Sequence, residues 1–460
     1  MKNREHFASP TAGLYIQLLP TPMETKTNPT GQVQVRFTTR NPELTVGDTP
    51  ILIPTSLKRY GLSQVVNHLL KSDKPTPFDF LIQGNLLRTS LDDYITQNGL
   101  STESTLDLEY IESTLPPQYL AAFPHDDWIS SVQLSSNHIL TSSYDGIARV
   151  WDKSGQVKLQ SLGLGSSLKN ISWKAPEKSF LTSSLDQKIH FWEIEDDLSN
   201  IENEKSTAAF STTFTGHKGV VERVRALPES NVFLSASTDK TVGIWDFERS
   251  PETTVESMDV NSSKRRRKND ELVPRNGARA PLFLCEGHNE SVMDVIFSND
   301  PSAAYSVGLD HTIKTWDLIT GQSVTSRITK NPLLCVEKLN DLHLLACGSS
   351  ARSITLHDPR ASSDKITSMT LSGHKNLVSD LAASPENPYM FASVSHDNSC
   401  RVWDVRATSG SIYTLPRSVK RGSQWDKLFS VDWNKSVGIV TGGTDKQLQI
   451  NQSSSFDNSQ

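Results

Sequence analysis

Gly216-His217 opens the stretch that decides the fold of this chain. It runs through Val220-Val221-Glu222-Arg223-Val224 to Val232-Phe233-Leu234-Ser235-Ala236-Ser237, then turns at Thr238-Asp239-Lys240. It closes on Thr241-Val242-Gly243-Ile244-Trp245-Asp246. β-Branched and aromatic residues stand on alternate positions in each run, and turn formers separate the runs, which predicts three short strands. The meaning of such a unit depends on whether it recurs.

It recurs along most of the chain. Trp151-Asp152 follows Tyr144-Asp145-Gly146, and Trp192-Glu193 follows Leu185-Asp186-Gln187. Trp316-Asp317 follows Leu309-Asp310-His311, and Trp403-Asp404 follows His396-Asp397-Asn398. In each case the turn aspartate precedes the tryptophan by six residues. Ser353-Ile354-Thr355-Leu356-His357-Asp358 and Thr444-Asp445-Lys446-Gln447-Leu448-Gln449-Ile450-Asn451 are degenerate copies. The units end at 152, 193, 246, 317, 358, 404 and 451. Most gaps lie near the roughly 40–45 residues of a WD repeat once two insertions are allowed. Seven units predict a seven-bladed β-propeller, each blade a four-stranded antiparallel sheet around a central channel. The segment Leu115-Pro116-Pro117-Gln118-Tyr119-Leu120-Ala121-Ala122 is expected to supply the outer strand of the last blade and so hide an edge.

The insertions differ in charge. Residues 247–280 add a polar segment, placed by the spacing between blades three and four, that cannot bury enough apolar surface to order itself. It carries Lys264, Arg265, Arg266, Arg267 and Lys268 in succession, a pattern that fits a nuclear-import signal, an RNA-phosphate patch or a plain solvated run. The acidic segment Glu193-Ile194-Glu195-Asp196-Asp197, with Glu202 and Glu204, suits a solvated loop between blades.

Upstream of the array the texture changes. Residues 1–30 lack periodicity and are expected to form a disordered leader. Val33-Gln34-Val35-Arg36-Phe37-Thr38 alternates like a half-buried strand, with Pro50-Ile51-Leu52-Ile53-Pro54 as its partner. Leu62, Val65, Val66 and Leu69 form the apolar stripe of a helix from about Lys58 to Leu70. Phe78-Asp79-Phe80-Leu81-Ile82, the turn Gln83-Gly84-Asn85, a short helical turn capped by Thr89 or Ser90, and Leu106-Asp107-Leu108-Glu109-Tyr110 complete a ubiquitin-like β-grasp pattern. The expected organisation is a leader at 1–30, a ubiquitin-like domain at 31–113, a propeller at 114–452 and a tail at 453–460. The fold class is mainly β, with an α+β domain in front of the propeller.

Three sets of residues imitate a catalytic triad: His217, Ser235 and Asp239; His288, Ser306 and Asp310; His374, Ser393 and Asp397. Three copies of a catalytic centre at blade spacing are far less plausible than three copies of a structural device. With Trp245, Trp316 and Trp403 they are expected to form hydrogen-bonded chains that tie each blade together, stabilising because every member is satisfied. His125, Thr141, Asp145 and Trp151 fit the same pattern in blade one. No Walker loop, G-x-S-x-G or post-strand G-x-G-x-x-G is present, and the histidines show no zinc spacing. The expectation is a non-catalytic platform without an intrinsic metal or cofactor.

A formal net charge of −6 provides no global attraction to nucleic acid, so any such contact would be local. Cys285, Cys335, Cys347 and Cys400 are widely spaced and expected to be buried, reduced thiols. No apolar run reaches transmembrane length, and Leu14-Tyr15-Ile16-Gln17-Leu18-Leu19 is too short for a secretory signal core, so a soluble intracellular protein is expected.

A ubiquitin-like module followed by seven WD repeats resembles nucleolar assembly factors of the large ribosomal subunit that carry a Notchless-type amino-terminal domain. Pro54-Thr55-Ser56-Leu57-Lys58-Arg59-Tyr60-Gly61-Leu62-Ser63, Pro77-Phe78-Asp79-Phe80-Leu81-Ile82, Leu87-Arg88-Thr89-Ser90-Leu91 and Ser142-Ser143-Tyr144-Asp145-Gly146 look like those of one branch. That branch is the WD-repeat subunit of the complex containing pescadillo and the block-of-proliferation protein. The resemblance covers residues from about 32 to 451. It implies a pre-60S scaffold of the nucleolus and nucleoplasm, needed for maturation of the 25S/28S and 5.8S rRNAs, whose propeller docks on that of the block-of-proliferation protein. It also implies that the metal-ion-dependent adhesion site of midasin, a AAA ATPase, grips the small domain. There the Gly-Leu-Ser-x-Glu loop of the family, here ending at Glu103, completes the shell of a Mg²⁺ ion held by the partner. Read from the residues alone, Glu103 is first an ordinary solvated glutamate before a strand, with a hard oxygen ligand for a metal held by another protein as the alternative. A rival class, a substrate receptor of a cullin-type ubiquitin ligase, is suggested by Trp403-Asp404-Val405-Arg406 and by His357-Asp358-Pro359-Arg360.

Overall fold

The computed structural model describes residues 31–71, 74–195, 198, 206–228, 230–248, 277–361, 369–417 and 426–452. The expected leader, tail and basic run lie outside the described residues. Two compact units emerge, one reaching to residue 75 and including 87–108, the other comprising 76–86 and 109 onward.

The amino-terminal region contains β1 (Gln32–Thr38), β2 (Ile51–Pro54), α1 (Arg59–Leu70), β3 (Phe78–Ile82), β4 (Asn85–Leu86), α2 (Leu91–Asn98) and β5 (Leu106–Glu112). Its sheet order is β2-β1-β5-β3-β4, that of a β-grasp. Alternation does the work the sequence implied: Val33, Val35 and Phe37 are buried, and Val33 pairs with Ile53 across the β1–β2 hairpin. Helix α1 buries Leu62 and Val66 and ends on Lys71 in the left-handed region at φ 52°. The segment expected as one helical turn is the two-turn helix α2. Ser90 caps it by accepting the Asp93 N–H at 3.2 Å, and Asp92 and Asp93 occupy the favourable end of its dipole.

Downstream stand seven antiparallel sheets of four strands, two of them extended by a fifth. In blade three the opening stretch forms Val221–Ala226, Val232–Ser237 and Thr241–Asp246, and Phe283–Glu286 is the outer strand. Each terminal Trp-Asp pair therefore ends a third strand, not a blade. In sequence the basic insertion therefore falls between the third and outer strands of blade three, Thr241–Asp246 and Phe283–Glu286, not between blades three and four. The acidic one lies inside blade two, between Ile189–Glu193 and Ala209–Phe214. The reason is reach: the Trp245 indole must meet Ser235 on the second strand, so the outer strand follows it in sequence.

The ring closes through Gln118–Pro124, which pairs antiparallel with Gln447–Gln452 as the outer strand of blade seven. It starts later than the expected 115, because Pro116 and Pro117 have no N–H to donate to a ladder. Two short strands cover blade edges. Ser206–Thr207 adds parallel to the outer strand of blade one, Val157–Gln160, and Ala278–Arg279 adds parallel to that of blade two. Between blades the sheets stack apolar face to apolar face: Leu181 and Ile189 of blade two meet Val221, Val224, Phe233 and Trp245 of blade three. Trp192, Trp245, Trp316 and Trp403 are fully buried. All four cysteines are buried and unpaired, and burial pushes the Cys285 and Cys400 thiols up to about 12. Among the described residues no helix is long and apolar enough to cross a membrane.

Candidate functional site

The loop bearing Glu103 is set by the elements on either side of it. Gly99 ends α2 at φ 62°, a conformation glycine adopts freely, and Leu100 N–H donates back to Ile95 O at 3.0 Å. Downstream, β5 is anchored where Arg36 makes two hydrogen bonds to Asp107, at 2.7 and 2.9 Å. Between these ends the loop folds on itself: Glu103 N–H donates to Ser101 Oγ at 3.2 Å, and Ser104 Oγ to Ser101 O at 3.1 Å. Residues 101–105 are all exposed. Among the described residues, the Glu103 carboxylate has no hydrogen-bond or ion-pair partner. It is a hard oxygen donor held on a short, internally bonded loop.

The triad-like sets form three near-identical chains. In blade three His217 Nδ1 lies 2.8 Å from Asp239, His217 Nε2 lies 2.7 Å from Ser235 Oγ, and Trp245 Nε1 donates to that hydroxyl at 2.7 Å. Blade four repeats it with His288, Asp310, Ser306 and Trp316 at 2.9, 2.6 and 2.7 Å. Blade six does so with His374, Asp397, Ser393 and Trp403 at 3.0, 2.7 and 2.7 Å. Proton direction follows: indole N–H to serine oxygen, serine O–H to His Nε2, His Nδ1–H to carboxylate. Burial works to raise the carboxyl of Asp239, yet the bonds from His217 and Thr241 hold it far below the usual range, and Asp397 behaves alike. Burial lowers His288 against the pull of Asp310, keeping the ring neutral. Ser235, Ser306 and Ser393 are completely buried, so none can meet a substrate.

Blade one departs from the expected pattern. His125 Nε2 and Trp151 Nε1 do meet Thr141 Oγ1, at 3.2 and 2.9 Å. Asp145, however, pairs with Arg149 at 2.8 Å, because that guanidinium intervenes and also reaches Asp126. Burial and the Arg149 charge lower His125 to about 4.

A second constellation is invisible to motif reading. The third residue of each inner strand is Ser131, Asn170, Arg223, Asp294, Cys335, Asp380 or Ser430. In all seven blades the register shifts between the first and third residue of that strand. Such bulges re-aim side chains, here to build a belt around the channel. Asn170, Asp294, Asp380 and Ser430 accept the N–H of Val224, Val336, Val431 and Val132 in the next blade, at 3.0, 3.0, 3.1 and 3.2 Å. Arg223 crosses to Asp380 at 2.5 Å and approaches Asp294 at 3.5 Å. The belt is the joint that locks blades in a ring. A charged residue two positions after the valine that opens an inner strand, as at Arg223, Asp294 and Asp380, is the signal that could have exposed it.

The basic run at 264–268 lies outside the described residues. Among those described, no group of three or more His, Cys, Asp or Glu is placed to hold a metal.

The fold and these networks define a WD-repeat propeller protein with a small α+β domain in front. Comparison with known proteins narrows the class. Residues 33–95 match the NLE (NUC135) domain, and 118–152, 209–246, 279–317 and 366–404 match the WD domain, G-beta repeat. The chain is 73% identical over 440 residues to the ribosome biogenesis protein ytm1 of Schizosaccharomyces pombe, covering 95% of this chain and all of that one. It is 44% identical to YTM1 of Saccharomyces cerevisiae, over 92% of this chain and 97% of the relative. Among solved structures, the WD40 β-propeller domain of Doa1 aligns with 75% of this chain and 98% of its own at a TM-score of 0.55 and 19% identity, a likeness of fold alone. The chain belongs to the YTM1 family of ribosome biogenesis proteins.

Proposed function

We propose that this ribosome biogenesis factor is a non-catalytic scaffold of the pre-60S particle in the nucleolus and nucleoplasm, needed for maturation of the 25S/28S and 5.8S rRNAs. Its propeller docks on the propeller of the block-of-proliferation protein, within the complex that also holds pescadillo. Its small domain is gripped by the metal site of midasin, and Glu103 supplies one oxygen to the Mg²⁺ held there, allowing the ATPase to pull the factor off the particle. The observation that carries this reading is the exposed carboxylate of Glu103 on its short loop, without a partner among the described residues. No cofactor of the chain's own enters the scheme. The run at 264–268 serves import, with RNA contact as the second use; the latter predicts steeply salt-dependent RNA affinity lost on deleting the run.

The cullin-receptor reading fares worse on a specific point. Arg406, the arginine of the W-D-x-R pattern, folds back on Asp404 with bonds of 2.9 and 2.6 Å and covers the Tyr389 ring at 4.2 Å. That guanidinium is occupied internally. Purification of the full chain from nuclear extract tests the choice: co-purifying pre-60S factors support the scaffold, and a cullin adaptor in their place overturns it.

A further inference from the structure

The loop that carries Glu103 also carries four hydroxyl side chains, on Ser101, Thr102, Ser104 and Thr105, and all four residues are exposed. The hydroxyls are not equivalent. Ser101 Oγ accepts the Glu103 N–H at 3.2 Å, and Thr105 Oγ1 donates across to Gln34 Oε1 at 3.1 Å. Ser104 Oγ gives its one proton to Ser101 O at 3.1 Å, closing the turn that holds Glu103 between the two serines. The loop therefore keeps its shape through bonds of its own, and one of them depends on an unmodified Ser104 hydroxyl.

Charge separates the four as well. A carboxylate stands three residues after Ser104, at Asp107, whereas the third residue after Ser101, Thr102 and Thr105 is Ser104, Thr105 and Leu108. Glu103 immediately precedes Ser104, and Glu109 and Glu112 follow on β5. Asp107 belongs to β5 yet leaves its side chain 59% exposed while paired with Arg36 at 2.7 Å. The acceptor can therefore be reached by opening the loop alone. A serine on an exposed loop with acid before and after it is the charge pattern that a kinase with a cation-lined substrate groove selects.

We propose that Ser104 is a phosphorylation site for an acidophilic serine/threonine kinase, and that its phosphate switches off the metal-directed contact of Glu103. The step transfers the terminal phosphoryl group of ATP. The bond from Ser104 Oγ to phosphorus forms, the bridging P–O bond of the triphosphate breaks, ADP leaves with the electron pair, and the hydroxyl proton passes to the kinase's base. The oxygen that donated to Ser101 O then carries no proton, so the turn that presents Glu103 loses its closing bond. A charge of about −1.5 to −2 also arrives on the residue next to Glu103, where like-charge repulsion and lost phosphate hydration oppose entry into a closely fitting site. Residues 101–105 are exposed, so the small domain keeps its fold. The switch rests on the proposed role of Glu103 as a ligand; the modification itself does not.

The full chain tests both parts. Mass spectrometry of the protein isolated from growing cells should find phosphate on Ser104, retained in Asp107→Glu and reduced at least about tenfold in Asp107→Asn. Calorimetric titration with the metal-site domain of midasin in Mg²⁺ then compares the parent with the full chain carrying genetically encoded phosphoserine at position 104. The phosphorylated chain should bind at least about tenfold more weakly at an unchanged melting temperature, while Ser104→Thr, which keeps the hydroxyl, should bind like the parent. Absence of phosphate from Ser104 in cells overturns the site. Equal or tighter binding by the phosphoserine chain, beside a parent that binds, overturns the switch and leaves the ligand role of Glu103 standing. A parent that fails to bind in Mg²⁺ overturns that role, and the switch with it.

Discussion

Arg223 is the place where the ring can be tested with one substitution. Its guanidinium is the cation of a buried cluster in which Asp294 and Asp380 have side chains only 1% and 4% exposed. Replacing Arg223 with Met preserves most of the volume and leaves two carboxylates facing a channel wall without a counter-ion. Removing one partner of a buried pair costs about 3–5 kcal/mol, a large part of the roughly 5–15 kcal/mol that keeps a domain folded. Adding Asp294→Asn and Asp380→Asn to Arg223→Met removes the stranded charges and should recover about half of the loss at pH 7. Urea unfolding followed by tryptophan fluorescence at pH 7.5 reads both effects. A loss below about 1 kcal/mol for Arg223→Met, or no recovery in the triple variant, would refute the claim that this belt locks the blades.

Two further outcomes follow from the same structure. Ser235→Ala strands the Trp245 N–H and His217 Nε2 and should cost about 2–4 kcal/mol in the same urea assay, whereas Ser235→Thr should cost under about 1 kcal/mol. The reason for the second value is that Thr141 and Thr182 already fill this role, accepting Trp151 and Trp192 at 2.9 and 3.0 Å. Burial pushes Glu337 up to about 7 against the pull of Arg225, 3.7 Å away. Because its folded value lies above the unfolded one of about 4.3, Glu337 destabilises progressively as pH rises from about 4 to 7; Glu337→Gln should therefore be the more stable protein at pH 7.5, by about 3 kcal/mol, and lose that advantage as pH falls to about 4.

The sequence exposed those features that rest on local pattern. Alternation in Val33, Val35 and Phe37 and the recurring Asp-to-Trp spacing name strands and blades because both arise from near neighbours in the chain. Features that need register remained hidden. The belt depends on a bulge in every inner strand, and a bulge leaves no mark in composition. Arg223 and Asp380 are 157 positions apart, and only ring closure makes them partners. The two covering strands, Ser206–Thr207 and Ala278–Arg279, are dipeptides at the ends of polar insertions, too short for any periodicity. Blade one misled for a related reason: the spacing of His125 and Asp145 fits the chain, but Arg149, four residues on, takes the carboxylate. Glu103 sits at the other extreme. Its residue type says little; the role proposed for it rests on likeness to a family loop, and the structure adds that the carboxylate is exposed, without a partner among the described residues.

The most direct measurement of the central claim is a calorimetric titration of the full chain, and of its Glu103→Ala and Glu103→Asp variants, with the metal-site domain of midasin in Mg²⁺ and again in chelator. The account predicts binding by the parent in Mg²⁺ that chelation abolishes, and affinities at least about tenfold weaker for both variants, whose folds remain intact. Binding of Glu103→Asp equal to the parent, or binding that survives chelation, would contradict it.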